Sequence, residues 1–102
     1  MSIQELDEKM IRSLPPSITR KTAILFTTPL CGTCKVAERM LEIAIAAGVS
    51  TPLYKANINY MPALGEQWQI TSIPCLIIIK DGQPHSREYA MKSVDHLYTL
   101  LK

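Results

Sequence analysis

Cys31-Gly32-Thr33-Cys34 follows the apolar run Ala23-Ile24-Leu25-Phe26-Thr27 after a short connector. The run is typical of a buried strand, because it is short, apolar and rich in branched side chains. After the motif, apolar residues recur at helical spacing and predict one buried helix face: Val36, Met40, Ala44 and Ala47. The two thiols therefore lie at a strand-to-helix junction, where they can form and reopen a disulfide.

The predicted position of Cys31 makes it the more reactive thiol. At or near the N-cap, its sulfur faces the unpaired N–H groups of the first turn and the positive end of the helix dipole. Both favour the thiolate over the thiol. Cys34 lies one turn further along the same face, with the two Cβ atoms about 5–6 Å apart. We therefore predict that Cys31 attacks a substrate and that Cys34 resolves the product.

The same spacing of two cysteines also occurs in half of a zinc site. Zinc takes four ligands, which in structural sites usually come as two paired clusters. The remaining candidates, Cys75, His85 and His96, are scattered along the chain. The sequence thus favours redox chemistry over structural zinc, and we expect both histidines at the surface.

A second informative stretch, Ile73-Pro74-Cys75, precedes the apolar run 76–79. A proline directly before a strand fits a tight turn, with which a cis Ile73–Pro74 bond is compatible. Burial preferences favour Cys75 as a small apolar side chain at the start of a core strand. Two alternatives stay open: a third redox thiol, or a soft-metal ligand together with Cys31 and Cys34.

Together these stretches resemble the thioredoxin family. That family carries a Cys-Gly-Pro-Cys-Lys motif and, later, an Ile-Pro-Thr turn whose cis proline faces the disulfide. Cys31-Gly32-Thr33-Cys34-Lys35 and Ile73-Pro74-Cys75 stand at the corresponding separation. Residues 55–59, 68–72 and 80–83 resemble the family's third strand, its approach to the proline and its hairpin turn, so the similarity covers about residues 21–101. The resemblance implies a thioredoxin-like α/β fold, with a central mixed sheet flanked by helices.

The resemblance also implies a function, that of a thiol-disulfide oxidoreductase acting on client proteins through the Cys31–Cys34 dithiol. Gly32, Thr33, Ile73 and Pro74 would contact the client, whose extended backbone would pair at Ile73. No cofactor beyond the redox-active disulfide is implied, and electrons would come from a thiol or a reductase. The alternative is a binding module in which the three cysteines hold a soft metal or an iron–sulfur cluster.

The sequence departs from the family pattern at several positions near the motif. Leu25 stands where thioredoxins usually carry a buried aspartate, which resembles a proton acceptor for the resolving cysteine. We therefore expect the mixed disulfide to be resolved more slowly than in family members that carry the aspartate. Lys55, which would neighbour that aspartate, either favours the Cys34 thiolate or extends to solvent. Thr33 replaces the motif's proline, and Leu30 stands where an aromatic residue is common.

The remaining pattern predicts the order of the elements. An N-terminal helix of about twelve residues starts at a capping box, Ser2-Ile3-Gln4-Glu5, and stops at Pro15-Pro16. Its apolar stripe is Ile3, Leu6, Met10 and Leu14. Further elements are a strand at 22–27, a helix to 47, a strand at 52–57, a helix at 60–68 capped by Asn59, a hairpin of strands 76–80 and 86–90 around Asp81-Gly82, and a helix capped by Ser93. We find no strand before the N-terminal helix, so we expect about four strands, the two joined by the Cys31 helix being parallel.

Length, composition and charge limit the number of domains, the cellular location and the classes of partner. The chain has 102 residues, 47% of them hydrophobic, with net charge +2, which suits a single domain over residues 1–102. Charges in the first residues argue against a signal peptide, and no apolar run reaches membrane length. The mixed charge includes no basic tract for nucleic acid. Three cysteines, two of them in this motif, indicate the cytoplasm. We expect a cytoplasmic monomer whose partners are disulfide-containing proteins rather than nucleic acid or membranes.

Overall fold

A mixed five-stranded sheet forms the centre of the molecule in a computed structural model, which describes residues 3–14 and 21–102. The strands are β1 (Gln4–Glu5), β2 (Lys21–Thr27), β3 (Leu53–Asn57), β4 (Cys75–Lys80) and β5 (Gln83–Glu88). The helices are α1 (Glu8–Arg12), α2 (Gly32–Ala46), α3 (Pro62–Gln67) and α4 (Val94–Leu101), with a 3₁₀ helix at Ile58–Tyr60. This α/β architecture confirms the predicted fold class. Among the helices described, none is long and apolar enough to cross a membrane.

The sheet order is β1-β3-β2-β4-β5. β2 pairs in parallel with β3, as predicted for strands joined by α2, and β4 and β5 are antiparallel. Each face of the sheet carries one apolar cluster. One includes Leu41 of α2 and Leu97 of α4, and the other includes Ile11 of α1 and Leu64 of α3. The sheet is therefore covered by helices on both faces, which explains why β2 is apolar without alternation over residues 23–26.

The N-terminal segment differs from the prediction of one continuous helix and a sheet of about four strands. Gln4–Glu5 forms β1, a fifth strand, which pairs in parallel with β3. The helix starts only after Asp7, whose Oδ1 accepts a hydrogen bond from the Met10 N–H at 2.8 Å. Ile3 and Leu6 enter the clusters on opposite faces of the sheet, which an extended backbone allows and a helix does not. The predicted Ser2 cap and the Pro15-Pro16 stop lie outside the described residues.

Helix α2 has the predicted length, and Ala44 and Met40 of its predicted face pack on the core, but the rest of the buried face is different. Its buried residues are Cys34, Ala37, Leu41 and Ala44, whereas Val36 is 60% exposed. This helix carries apolar residues on more than one side, so spacing alone does not determine which side packs. The side that faces the sheet carries small alanines, which let the helix approach closely.

The β3–α3 connection and the hairpin also shift by a few residues. The predicted helix at 60–68 spans only Pro62–Gln67, and its N-cap residue is Met61 rather than Asn59. Asn59 instead lies in the preceding 3₁₀ helix, which Asn57 caps through an Oδ1 that accepts from the Asn59 N–H at 3.0 Å. In the hairpin, Asp81 and Gly82 have φ of 53° and 80°, as a tight two-residue turn requires. Because the turn is that tight, β5 begins at Gln83 rather than at residue 86.

Candidate active site at the start of helix α2

The Cys31–Cys34 pair forms a disulfide at the first turn of α2, with Cα atoms 5.2 Å apart. Cys31 is the N-cap residue and has an extended backbone, with φ −100° and ψ 108°. Its side chain is partly exposed, whereas Cys34 is only 2% exposed. The two sulfurs therefore differ in access: an incoming molecule can reach Cys31 and not Cys34.

Hydrogen-bond donors surround the Cys31 sulfur. The Cys34 backbone N–H donates to Cys31 Sγ at 3.1 Å, and Thr33 Oγ1 lies 3.3 Å from the same sulfur. The first turn of α2 holds no acidic residue, so no negative charge opposes the positive end of the helix dipole. When the disulfide is reduced, this arrangement stabilises negative charge on Cys31.

The surface around Cys31 is open. Gly32 and Thr33 are exposed, and Leu30 is 98% exposed. A Cβ atom added at Gly32 would meet no other atom within 4 Å, so packing within the chain does not demand a glycine there. The motif thus presents an uncovered surface next to the disulfide.

The second predicted stretch lies at the same end of the sheet. Cys75 begins β4 and pairs with Phe26 near the end of β2, the strand that leads to Cys31. The Ile73–Pro74 peptide bond just before it is cis. Both residues are partly exposed, and within the described residues no hydrogen bond uses the backbone of Ile73. The structure therefore places a free backbone edge at the end of the sheet that carries the disulfide.

Two side chains from the end of β5 hold the loop before the cis proline, and no motif in the sequence pointed to them. The Tyr89 hydroxyl accepts from the Thr71 N–H at 3.3 Å and from Thr71 Oγ1 at 3.2 Å, and donates to the Gln69 carbonyl at 3.3 Å. Arg87 Nε donates to the Trp68 carbonyl at 2.7 Å. Local sequence patterns do not signal such contacts, because they join segments about twenty residues apart.

Cys75 is buried, as the favoured interpretation predicted. Its side chain has no exposed surface, and burial raises the pKa of the thiol to about 11, while Tyr89 and Arg87 partly oppose that shift. A buried neutral thiol is a poor nucleophile and a poor metal ligand. The environment therefore argues against a third redox thiol.

The metal-binding alternative has no support in the geometry. Over residues 3–14 and 21–102, no group of three or more His, Cys, Asp or Glu side chains is placed to hold an ion. His85 is exposed on β5, as predicted, whereas His96 is only partly exposed, with Nε2 3.4 Å from Glu88 Oε1.

Lys55 makes an ion pair that the sequence did not predict, and it does not extend freely to solvent. Its Nζ donates to Glu38 Oε1 at 2.7 Å, an ion pair between β3 and α2. Leu25 is fully buried and lies directly opposite Lys55 in the β2–β3 register. Glu38 was not among the predicted site residues, although its spacing of four residues from Cys34 places the two on one helix face.

Comparisons with known proteins agree with this geometry. The family profile described as Thioredoxin matches residues 8–102. The chain is 40% identical over 75 residues to the thioredoxin-like protein YusE of Bacillus subtilis, covering 74% of this chain and 71% of that protein. It is 38% identical over 76 residues to the thioredoxin of Chlamydia caviae, covering 74% of each.

Solved structures show the same fold. A mutant thioredoxin from Halobacterium salinarum superposes with a TM-score of 0.83 at 17% identity, over 98% of this chain and 88% of that one. Oxidised mitochondrial thioredoxin 3 from Saccharomyces cerevisiae superposes with a TM-score of 0.74 at 21% identity, over 97% of this chain and 92% of that one.

Proposed function

The chain belongs to the thioredoxin family and is a thiol-disulfide oxidoreductase, and we propose that Cys31 is its attacking thiol and Cys34 its resolving thiol. The difference in access carries this assignment. Cys31 is partly exposed and its Sγ lies beside hydrogen-bond donors, whereas Cys34 is 2% exposed. A client disulfide can therefore meet only the first thiol.

The reaction transfers two electrons from the dithiol to the client. The Cys31 thiolate attacks one client sulfur, the client S–S bond breaks, and a mixed disulfide forms while the other client sulfur leaves as a thiolate. Cys34 then loses its proton and attacks Cys31 Sγ. The mixed disulfide breaks, the Cys31–Cys34 disulfide forms, and the second client sulfur leaves. The client is reduced, and the protein is oxidised.

The client is proposed to bind across Gly32, Thr33, Ile73 and Pro74. The motif residues are exposed, and the free N–H and C=O of Ile73 can pair with an extended client backbone. The geometry at Tyr89 supports this proposal, since its hydroxyl bonds hold the loop that leads to Ile73.

The family acts on disulfide substrates together with reductase partners and needs no cofactor beyond its redox-active cysteines. For this chain we propose disulfide-containing client proteins, a thiol or reductase as electron donor, and a single domain over residues 1–102 that works as a cytoplasmic monomer. The low net charge of +2 argues against nucleic acid or membranes as partners. Apolar clusters on both faces of one sheet support the single domain.

Trapping of the mixed disulfide tests the two assigned roles. With the resolving thiol removed, a Cys34→Ser protein should accumulate adducts with a peptide that carries one disulfide. Non-reducing mass spectrometry should place the adduct on Cys31, and dithiothreitol should release it. Cys31→Ser is the matched control and should form no adduct. Equal adduct in the two variants would show that the roles are wrong.

A further inference from the structure

The resolving step needs a proton acceptor that the buried thiol can reach. Cys34 is 2% exposed, so bulk water has little access to its sulfur. Only the thiolate attacks a disulfide, so the thiol proton has to leave before or during the attack. Leu25, on the strand beneath α2, is fully buried and offers no acceptor.

Glu38 is the carboxylate placed to take that proton. It lies four residues after Cys34, so the two side chains are neighbours on one face of α2, with Cβ atoms about 5–6 Å apart. Glu38 is 27% exposed, at the edge of the buried face formed by Cys34, Ala37 and Leu41. At this spacing a proton can pass between neighbouring side chains directly or through one bridging water molecule.

Lys55 holds this carboxylate in place from the sheet. Its Nζ donates to Glu38 Oε1 at 2.7 Å, and its own side chain is 26% exposed. In the register, Lys55 lies opposite Leu25, whose side chain packs in the cluster that includes α2. The ammonium group therefore reaches the carboxylate from the side of the sheet on which Cys34 is buried.

Other charged groups lie near this pair on α2 and β1. On α2 they are Lys35, three residues before Glu38, and Glu42, four residues after it. On β1, Glu5 is the register partner of Lys55. Within the described part of the chain, none of these three makes an ion pair with Glu38 or Lys55.

We propose that Glu38, positioned by Lys55, accepts the proton of Cys34 when the mixed disulfide is resolved. The inference rests on the roles proposed for Cys31 and Cys34. The proton passes from Cys34 Sγ to the Glu38 carboxylate, the new thiolate attacks Cys31 Sγ, and the bond between Cys31 and the client sulfur breaks. The client leaves as a thiolate and takes the proton from Glu38 or from water. Lys55 is a positioning residue, since it acts through Glu38.

The reaction of the reduced protein with one equivalent of 5,5′-dithiobis(2-nitrobenzoate) separates the two steps. The first coloured thiolate is released when Cys31 attacks, and the second when Cys34 displaces the aromatic thiol from Cys31. In stopped-flow absorbance at pH 7, Glu38→Gln should leave the rate of the first phase unchanged and slow the second phase on the order of 10–100-fold. The expected loss lies at the low end for general acid–base catalysis, because water can accept the proton in place of the carboxylate.

Two variants on the same helix serve as controls. Glu42→Gln removes the same charge from a residue without an ion pair among the described side chains, and its second phase should match the wild type. Glu38→Asp keeps a carboxylate and should be faster than Glu38→Gln. The difference in second-phase rate between the wild type and Glu38→Gln should also become smaller as the pH rises, because hydroxide then removes the Cys34 proton. A structural defect would not produce this pH dependence.

The outcomes separate this inference from the proposed function. The role of Glu38 alone would be overturned if Glu38→Gln had the same second-phase rate as the wild type. It would also be overturned if the second phase of Glu38→Gln stayed slower by the same factor up to about pH 10, where thiols are ionised. A wild-type protein with no second phase would overturn the roles of Cys31 and Cys34, and this inference with them.

Discussion

Cys31 and Cys75 lie at the same end of the central sheet, yet their surroundings are opposite. Cys31 follows β2 and caps α2, is partly exposed, and accepts a hydrogen bond at Sγ from the Cys34 N–H. Cys75 begins β4, pairs with Phe26 of β2 and has no exposed surface. Burial raises the pKa of its thiol to about 11.

The difference shows that the backbone element, rather than the residue type, decides how a thiol reacts. The start of a helix supplies unpaired N–H groups and a positive dipole end to a sulfur that solvent can reach. The start of a buried strand supplies apolar neighbours, which penalise the charged form. One thiol is therefore prepared for exchange, and the other serves as core packing.

The largest expected difference is in activity after each of the two thiols is removed. Cys31→Ser should abolish reduction of a disulfide peptide in the presence of dithiothreitol, because no attacking thiolate remains. Cys75→Ala, the matched control, should retain most of the activity. A folded Cys75→Ala protein with as large a loss would mean that Cys75 takes part in the reaction.

Alkylation compares the intact thiols directly. At pH 7, with a pKa of about 11, only about 10⁻⁴ of Cys75 is thiolate, and burial hides even that fraction. Iodoacetamide should therefore modify Cys31 of the reduced protein first and Cys75 only after unfolding in guanidinium, as peptide mass spectrometry can show. Early labelling of Cys75 in the folded protein would contradict the comparison.

The stability of the oxidised protein should depend on Cys75 at high pH. Burial raises the thiol pKa from its ordinary value of 9.0 to about 11. The folded state therefore holds the Cys75 proton to a higher pH than the unfolded state does. The resulting contribution to the free energy of unfolding is fully present below about pH 9 and is lost as the pH rises towards 11. At pH 10 the loss should be about 1 kcal/mol relative to pH 7.

Urea denaturation of the oxidised wild type and of oxidised Cys75→Ala isolates this effect, since Cys31 and Cys34 do not titrate in the disulfide. The alanine variant should have a lower free energy of unfolding at every pH. It should lack the further decrease above pH 9 that ionisation of Cys75 causes in the wild type. Parallel pH curves for the two proteins would argue that Cys75 ionises equally in both states.

The smallest expected effect concerns the loop that leads to Cys75. Tyr89→Phe removes the hydroxyl bonds to Thr71 and Gln69, each worth about 0.5–1.5 kcal/mol. The KM for a disulfide peptide should rise about 5-fold, which corresponds to about 1 kcal/mol, while kcat changes little. Tyr98→Phe on α4 is the control and should be neutral. A normal KM in Tyr89→Phe would show that the loop keeps its position without these bonds.

Several features followed from local sequence alone. The apolar run of β2, the placement of Cys31 at a helix N-cap and the Asp81-Gly82 turn were all predicted, and the structure has each of them. Hydrophobic periodicity, capping and turn chemistry involve residues only a few positions apart. The redox motif and its position at a strand-to-helix junction could therefore be inferred from local patterns, and the fold class from the resemblance to the thioredoxin family.

The rest depended on contacts between distant segments. Strand β1 exists because β3 offers an edge to pair with, and the buried face of α2 was selected by the sheet beneath it. The Glu38–Lys55 ion pair and the Tyr89 bonds likewise join segments 17 to 20 residues apart. Such partners are brought together by packing of the whole chain, which local propensities do not encode, so only the tertiary structure decides which side chains support the reactive pair.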